Sequence, residues 1–173
     1  MKSWSLFRVA LVALLSFALF GCFRSVEPLI GEGEADHPFE SVTYVQAGGG
    51  EEVTLVRSGD AYRPANEDTD DRVWLKVLDE NLYLAQLAPA DASGPGYMYG
   101  IVRVAPDRKS FVMTASVAEA SDIAALSQDH EGLGPCPDDP ETVCIENDNA
   151  YIAYSEESEV ARRKTVYNIL KME

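Results

Sequence analysis

Catalysis, metal binding and redox work draw on a few side-chain types, and this chain is sparing with two of them. It holds three cysteines and two histidines. His37 lies in the polar run Glu34-Ala-Asp-His37 and His130 in Gln128-Asp-His-Glu131, so neither sits in an apolar stretch beside a nucleophile. No G-x-S-x-G, H-E-x-x-H or G-x-x-x-x-G-K-[ST] pattern occurs. Glycosidases need only two carboxylates flanking a cleft, but with 29 acidic residues such a pair can always be found and carries no information. The expectation is a non-enzymatic protein with no catalytic residue and no cofactor.

Cys136 and Cys144 are separated by seven residues, which is neither a C-x-x-C redox spacing nor half of a zinc ribbon. In an oxidising compartment the pair is expected to form a disulfide, which by the loop-entropy model is worth roughly 2.5 kcal/mol. Two acidic loops could offer oxygen ligands to Ca²⁺: Asn66, Asp68, Asp70 and Asp71 in one, Asp138, Asp139 and Glu141 in the other. The first fails as an EF-hand loop. Counted from Asp68 or Asn66, the sixth position is Val73 or Asp71 where glycine is required. Both loops read as solvated tips, and no metal site is expected.

The third cysteine has a different setting. Met1–Cys22 carries Lys2 and Arg8, then an apolar run from Val9 to Phe20 broken only by Ser16. As a helix that run is about 18 Å long, short of the roughly 30 Å hydrocarbon core, so a cleaved export signal fits better than a membrane span. Leu19-Phe20-Gly21-Cys22 resembles the lipobox of bacterial lipoproteins, with Phe20 where a small residue is usual. The resemblance implies a lipid on the Cys22 thiol, cleavage after Gly21 and acylation of the new amino terminus. Phe23 occupies the position of the lipoprotein sorting residue. Because it is not Asp, the resemblance implies transfer to the outer membrane. The expected partner is therefore a membrane, reached through the Cys22 lipid, with an envelope protein as a further candidate.

The whole chain has a net charge of −15, and the leader contributes two bases and no acid, so the remainder is more acidic still. That balance argues against nucleic acid, whose binders carry basic patches, and against lying flat on anionic headgroups. Three segments are expected: a signal peptide over 1–21, a lipidated Cys22 with a flexible tether over 22–37, and one β-rich domain over 38–173. The tether reading rests on Pro28, Gly31 and Gly33 among acidic residues with little to bury.

From Pro38 the hydrophobic period becomes two. Strands are expected at Ser41–Gln46, Val53–Arg57, Ala61–Arg63, Val73–Leu78, Leu82–Leu87, Tyr97–Ala105 and Ser110–Ala115, three hairpins in sequence. Val73, Leu75 and Val77 share one face and Trp74, Lys76 and Leu78 the other, so this strand and its partner belong in the middle of a sheet. Gly100 implies a bend or close packing. Later, Ser116-Val-Ala-Glu119 has the form of a capping box before a helix ending near Gln128. Cys144-Ile145 and Tyr151–Tyr154 read as short strands, Ser155 as the cap of a second helix with Arg162, Arg163 and Lys164 in its last turn, and Val166–Lys171 as the last strand.

The fold class expected is α+β, mainly antiparallel, a meander sheet or partial barrel with two short helices. Trp74, Tyr83, Tyr97 and Tyr99 are the candidate contacts for a ligand or partner, because Tyr and Trp bury area while keeping a polar tip, although a β core uses them equally well. Two functional readings follow. One is a lipid-anchored envelope protein that docks another protein through its sheet or its acidic face, a reading that an exposed aromatic face would favour. The other is a binder of a small apolar or amphipathic molecule inside a barrel, like lipocalins in architecture alone.

Overall fold

The computed structural model describes residues 23–65, 69–90, 96–116, 120–157 and 162–173. Met1–Cys22 lies outside these residues, as do Asn66 and Asp68 of the first acidic loop and positions 117–119 of the expected capping box. The strands are β1 (Phe23–Ser25), β2 (Ser41–Gln46), β3 (Val53–Ser58), β4 (Ala61–Pro64), β5 (Arg72–Asp79) and β6 (Leu82–Ala88). They continue as β7 (Tyr97–Val104), β8 (Ser110–Ser116), β9 (Leu133–Cys136), β10 (Asp139–Ile145) and β11 (Arg162–Met172). Helices α1 (Ala120–Asp129) and α2 (Asp148–Glu157) fall between β8 and β11.

Strands β2 to β8 form an antiparallel meander, each paired with the next. Strand β11 then pairs with β8 on one side and β2 on the other, so the sheet returns to its start. The result is a closed eight-stranded barrel, a more complete structure than a meander sheet or partial barrel. Closure leaves the eight strands with no free edge among themselves, which satisfies backbone groups that an open meander exposes. The hairpins turn where the sequence allows positive φ: Gly59 at 69°, Asn81 at 59° and Arg108 at 55°.

Gly100 marks where the barrel branches. Strand β7 pairs with β8 through Ile101–Val104, but its first residues, Tyr97 and Met98, pair with β1. A side chain at 100 would bring Cβ within 3.1 Å of the Met113 methyl and 3.3 Å of the Thr114 carbonyl, so the two strands approach closely just before they part. Strand β1 also pairs in parallel with β10, which pairs with β9, extending a small sheet from the barrel wall.

That sheet and both helices cover the outer face of β5–β7. Leu84 and Tyr99 from the barrel pack with Ile123 and Leu126 of α1, Val143 and Ile145 of β10, and Tyr151 and Tyr154 of α2. Both faces of β5 and β6 are thus occupied, as their two-sided apolar pattern requires. At the edge of this layer Lys76 Nζ donates to Asp148 Oδ2 at 2.9 Å, tying β5 to the start of α2.

The flexible tether expected over 22–37 is not what residues 23–37 form. Phe23 and Ile30 are each 2% exposed, and Phe23 stacks on Tyr154 at 4.9 Å between ring centres. The Asp36 amide donates to Leu75 O at 2.7 Å, and its carboxylate accepts from the Val77 amide at 2.7 Å. Strand β4 reaches β5 only at the Tyr62–Val73 pair, so Asp36 completes the stretch of β5 edge that β4 leaves bare. Phe23, Ile30 and the backbone of Asp36 supply what composition alone did not reveal.

Two further expectations are corrected. Tyr151–Tyr154 is part of α2, not a strand, and Ser155 lies within that helix, its hydroxyl 2.9 Å from that of Ser116. Asn147 caps α2 through Oδ1, which accepts from the Ala150 amide at 2.8 Å, and Tyr151, Tyr154 and Ser155 then fall on one buried face. Arg162, Arg163 and Lys164 open strand β11 and pair with Ser116, Ala115 and Thr114 of β8. The Cys136–Cys144 disulfide is present and staples β9 to β10.

If residues 23–37 belong to the fold, Ile30→Ala should lower stability by about 3 kcal/mol in urea denaturation, as for other buried aliphatic truncations. A loss below about 0.5 kcal/mol, the usual range for an exposed site, would return the segment to a tether.

Candidate functional site

Alternation along each barrel strand sends every second side chain inward, and that inner set is almost wholly apolar. Val42, Tyr44, Leu55 and Tyr62 come from β2, β3 and β4; Val73, Leu75, Tyr83, Ala85 and Leu87 come from β5 and β6. Val102, Val104, Phe111, Met113, Ile169 and Met172 from β7, β8 and β11 complete the ring. Together they line a cavity of about 90 Å³. Water occupies about 30 Å³ per molecule in the liquid, so the space is small, and its apolar walls offer water few partners. Met113 and Met172, unbranched and soft, are the wall residues best able to give way to a larger guest.

The cavity reaches the surface at one end. The chain entering β2 (Pro38 and Phe39), the β5–β6 turn (Asn81) and the β7–β8 turn (Arg108) all contribute to its lining, and Arg108 is also solvent-exposed. Phe39 packs on Tyr62 with ring centres 4.6 Å apart, and the Tyr62 hydroxyl donates to the Phe39 carbonyl at 2.8 Å. The two turns are joined, because the Val104 amide donates to the Asn81 carbonyl at 2.9 Å.

The four aromatics singled out in sequence do not come together. Tyr83 faces the cavity, whereas Trp74, Tyr97 and Tyr99 lie on the opposite side of the wall under the second layer. Trp74 and Tyr97 meet edge to face with centres 6.2 Å apart. Tyr99 is 5% exposed and belongs to a polar cluster that the sequence did not reveal. Its hydroxyl lies 2.6 Å from the Ser25 hydroxyl, accepts from the Leu29 amide at 3.1 Å and donates to Gln86 Oε1 at 3.1 Å. The same Gln86 oxygen accepts from the Ile30 amide at 2.8 Å, and its Nε2 donates back to the Ile30 carbonyl at 3.4 Å. Gln86, buried in an otherwise apolar strand, thus pairs with Ile30 as a neighbouring strand would. One polar residue within Leu82–Leu87 was the signal available for it. Asn81 and Arg108 fall between expected strands, and no local pattern says which turns closure brings together.

Among the described residues no group of three or more His, Cys, Asp or Glu side chains is arranged to hold a metal ion. Asp138 pairs with Arg24 at 2.6 Å, and Asp139 accepts from the Thr142 hydroxyl at 2.6 Å, a bond that holds its carboxyl below the ordinary range.

Burial pushes the Tyr62 phenol up to about 12. The neutral form is favoured in the fold, so its contribution to stability is complete below the ordinary tyrosine value of 10 and is lost as pH rises from 10 through 12. The urea midpoint should therefore fall across that interval, and less steeply in Tyr62→Phe. Tyr99, Tyr151 and Tyr167 are raised too, by burial, so part of the slope should survive the substitution. An equal slope in the variant would show that Tyr62 does not titrate as a buried group.

No protein-family model, curated protein or solved structure matches this chain.

Proposed function

We propose that this is a non-enzymatic, lipid-anchored protein of the cell envelope, held most simply at the outer membrane, whose barrel takes up one small apolar or amphipathic molecule. The observation that supports the binding reading is the lining: apolar residues from all eight barrel strands face one surface-reaching cavity. A packed barrel core needs no opening, and Arg108 at the rim gives this one a polar end. The cavity of about 90 Å³ is well below the roughly 300 Å³ of a drug-sized pocket, so the guest is a narrow chain or a small ring. The anchor reading rests on Leu19-Phe20-Gly21-Cys22. With β1 beginning at Phe23, a lipid on Cys22 would hold the domain directly at the bilayer rather than at the end of a tether. Burial of Phe23 gives that residue a packing role whatever its part in sorting.

Docking of an envelope protein is the second reading, and its basis has moved. Trp74, Tyr97 and Tyr99 are occupied within the fold; of the large apolar residues left exposed among those described, Val26, Val77, Val166 and Leu170, the last two share strand β11 and offer such a contact.

Both parts are tested by purifying the chain from a two-membrane bacterium. The protein should fractionate with membranes, and Cys22→Ala should abolish that. Native mass spectrometry of the detergent-released protein should show a retained mass of a few hundred daltons at most beyond its lipid. Unaltered fractionation of Cys22→Ala would sink the anchor. A bare protein that also takes up no added alkanol would sink the ligand reading.

A further inference from the structure

The cavity has a chemical polarity that its apolar walls do not require. Among the described residues the lining includes a single charged side chain, Arg108, with the Asn81 amide nearby at the same end. These are also the only non-glycine residues with positive φ among those described, at 55° and 59°. Asparagine tolerates that conformation well, but arginine is a costlier choice where glycine would turn the chain freely. Backbone strain of this kind gathers where a side chain is needed for something other than the turn.

Two basic groups elsewhere on the described surface are committed to carboxylates, and Lys109, beside Arg108 in the turn, is not part of the lining. Arg57 is paired with Glu40 at 3.0 Å and Lys171 with Glu173 at 2.6 Å. Arg108 has no carboxylate within salt-bridge distance among the described residues. Asp107, its neighbour in the turn, accepts from the Lys109 amide at 3.0 Å. In a chain of net charge −15, an uncommitted guanidinium at the mouth of an apolar cavity is a site for an anion brought by its tail.

Resting on the ligand-binding reading above, we propose that the guest is a carboxylate-headed alkyl chain. Its tail lies between Met113, Met172 and the β5–β7 wall, and its carboxylate accepts from the Arg108 guanidinium and the Asn81 amide. A planar carboxylate matches the two parallel N–H groups of arginine, while an alcohol of the same length offers no charge to it.

The test is calorimetric titration of residues 23–173, which contain every described element, with hexanoate, octanoate and decanoate and with the matching 1-alkanols. Arg108→Asn removes the charge and keeps a residue that accepts positive φ. The variant should bind each alkanoate about tenfold more weakly, the effect of losing one charge-assisted pair, and each alkanol within about twofold of the original. If alkanoate and alkanol respond alike to the substitution, the carboxylate assignment is wrong while the cavity reading stands. If neither series binds the unaltered protein, the cavity reading fails and this one with it. Circular dichroism of Arg108→Asn checks that the barrel is intact.

Discussion

A β-strand has two edges, and β7 serves three neighbours. One edge goes wholly to β6; the other is divided, with Ile101–Val104 given to β8 and Tyr97–Met98 to β1. Gly100 stands at the division, where a Cβ would press on Met113 and the Thr114 carbonyl. Closure of the barrel and attachment of the second layer both depend on that partition. Without the β8 half the eight strands would have a free edge, and without the β1 half the small sheet of β1, β10 and β9 would have no base.

The same division explains why the outer face of β5–β7 is covered. Leu84, Tyr99 and Trp74 point away from the cavity, and on an isolated barrel they would be an exposed apolar patch. The insertion between β8 and β11, with residues 23–37, covers them. A buried polar group must find a partner or cost stability, and Gln86, Tyr99 and Ser25 find theirs in the N-terminal segment and in one another. The segment is thereby fixed by hydrogen bonds of defined geometry as well as by Phe23 and Ile30. The outer face of β5–β7 is thus taken up within the fold, and the proposed ligand binding rests on the barrel interior.

Much of the barrel was legible because period-two alternation is a local signal. Seven of the eight barrel strands were placed to within about two residues, inside the boundary error usual for such readings, and the face shared by Val73 and Leu75 is the cavity face. Three things were not legible, each for a physical reason. Closure is a long-range event: nothing near Arg162–Lys164 says that it pairs with β8, and its charges suggested a helix end instead. The role of residues 23–37 depends on two buried side chains and one amide pair hidden in a polar, glycine-containing stretch. The rim depends on turns that meet only in three dimensions. By contrast, the Cys136–Cys144 pairing followed from spacing and parity, and the structure contains it.

The central claim is that the barrel encloses apolar space that small molecules can enter. Xenon tests it without assuming any ligand chemistry, since it occupies dry apolar cavities and ignores polar ones. With methionine methyls labelled with ¹³C, NMR spectra of residues 23–173 would be recorded with and without xenon pressure. Met113 and Met172 line the cavity and should shift in a saturable way, while Met98, outside the lining, should move little. Equal small shifts at all three would mean that the interior is a filled core, and the binding account would be contradicted.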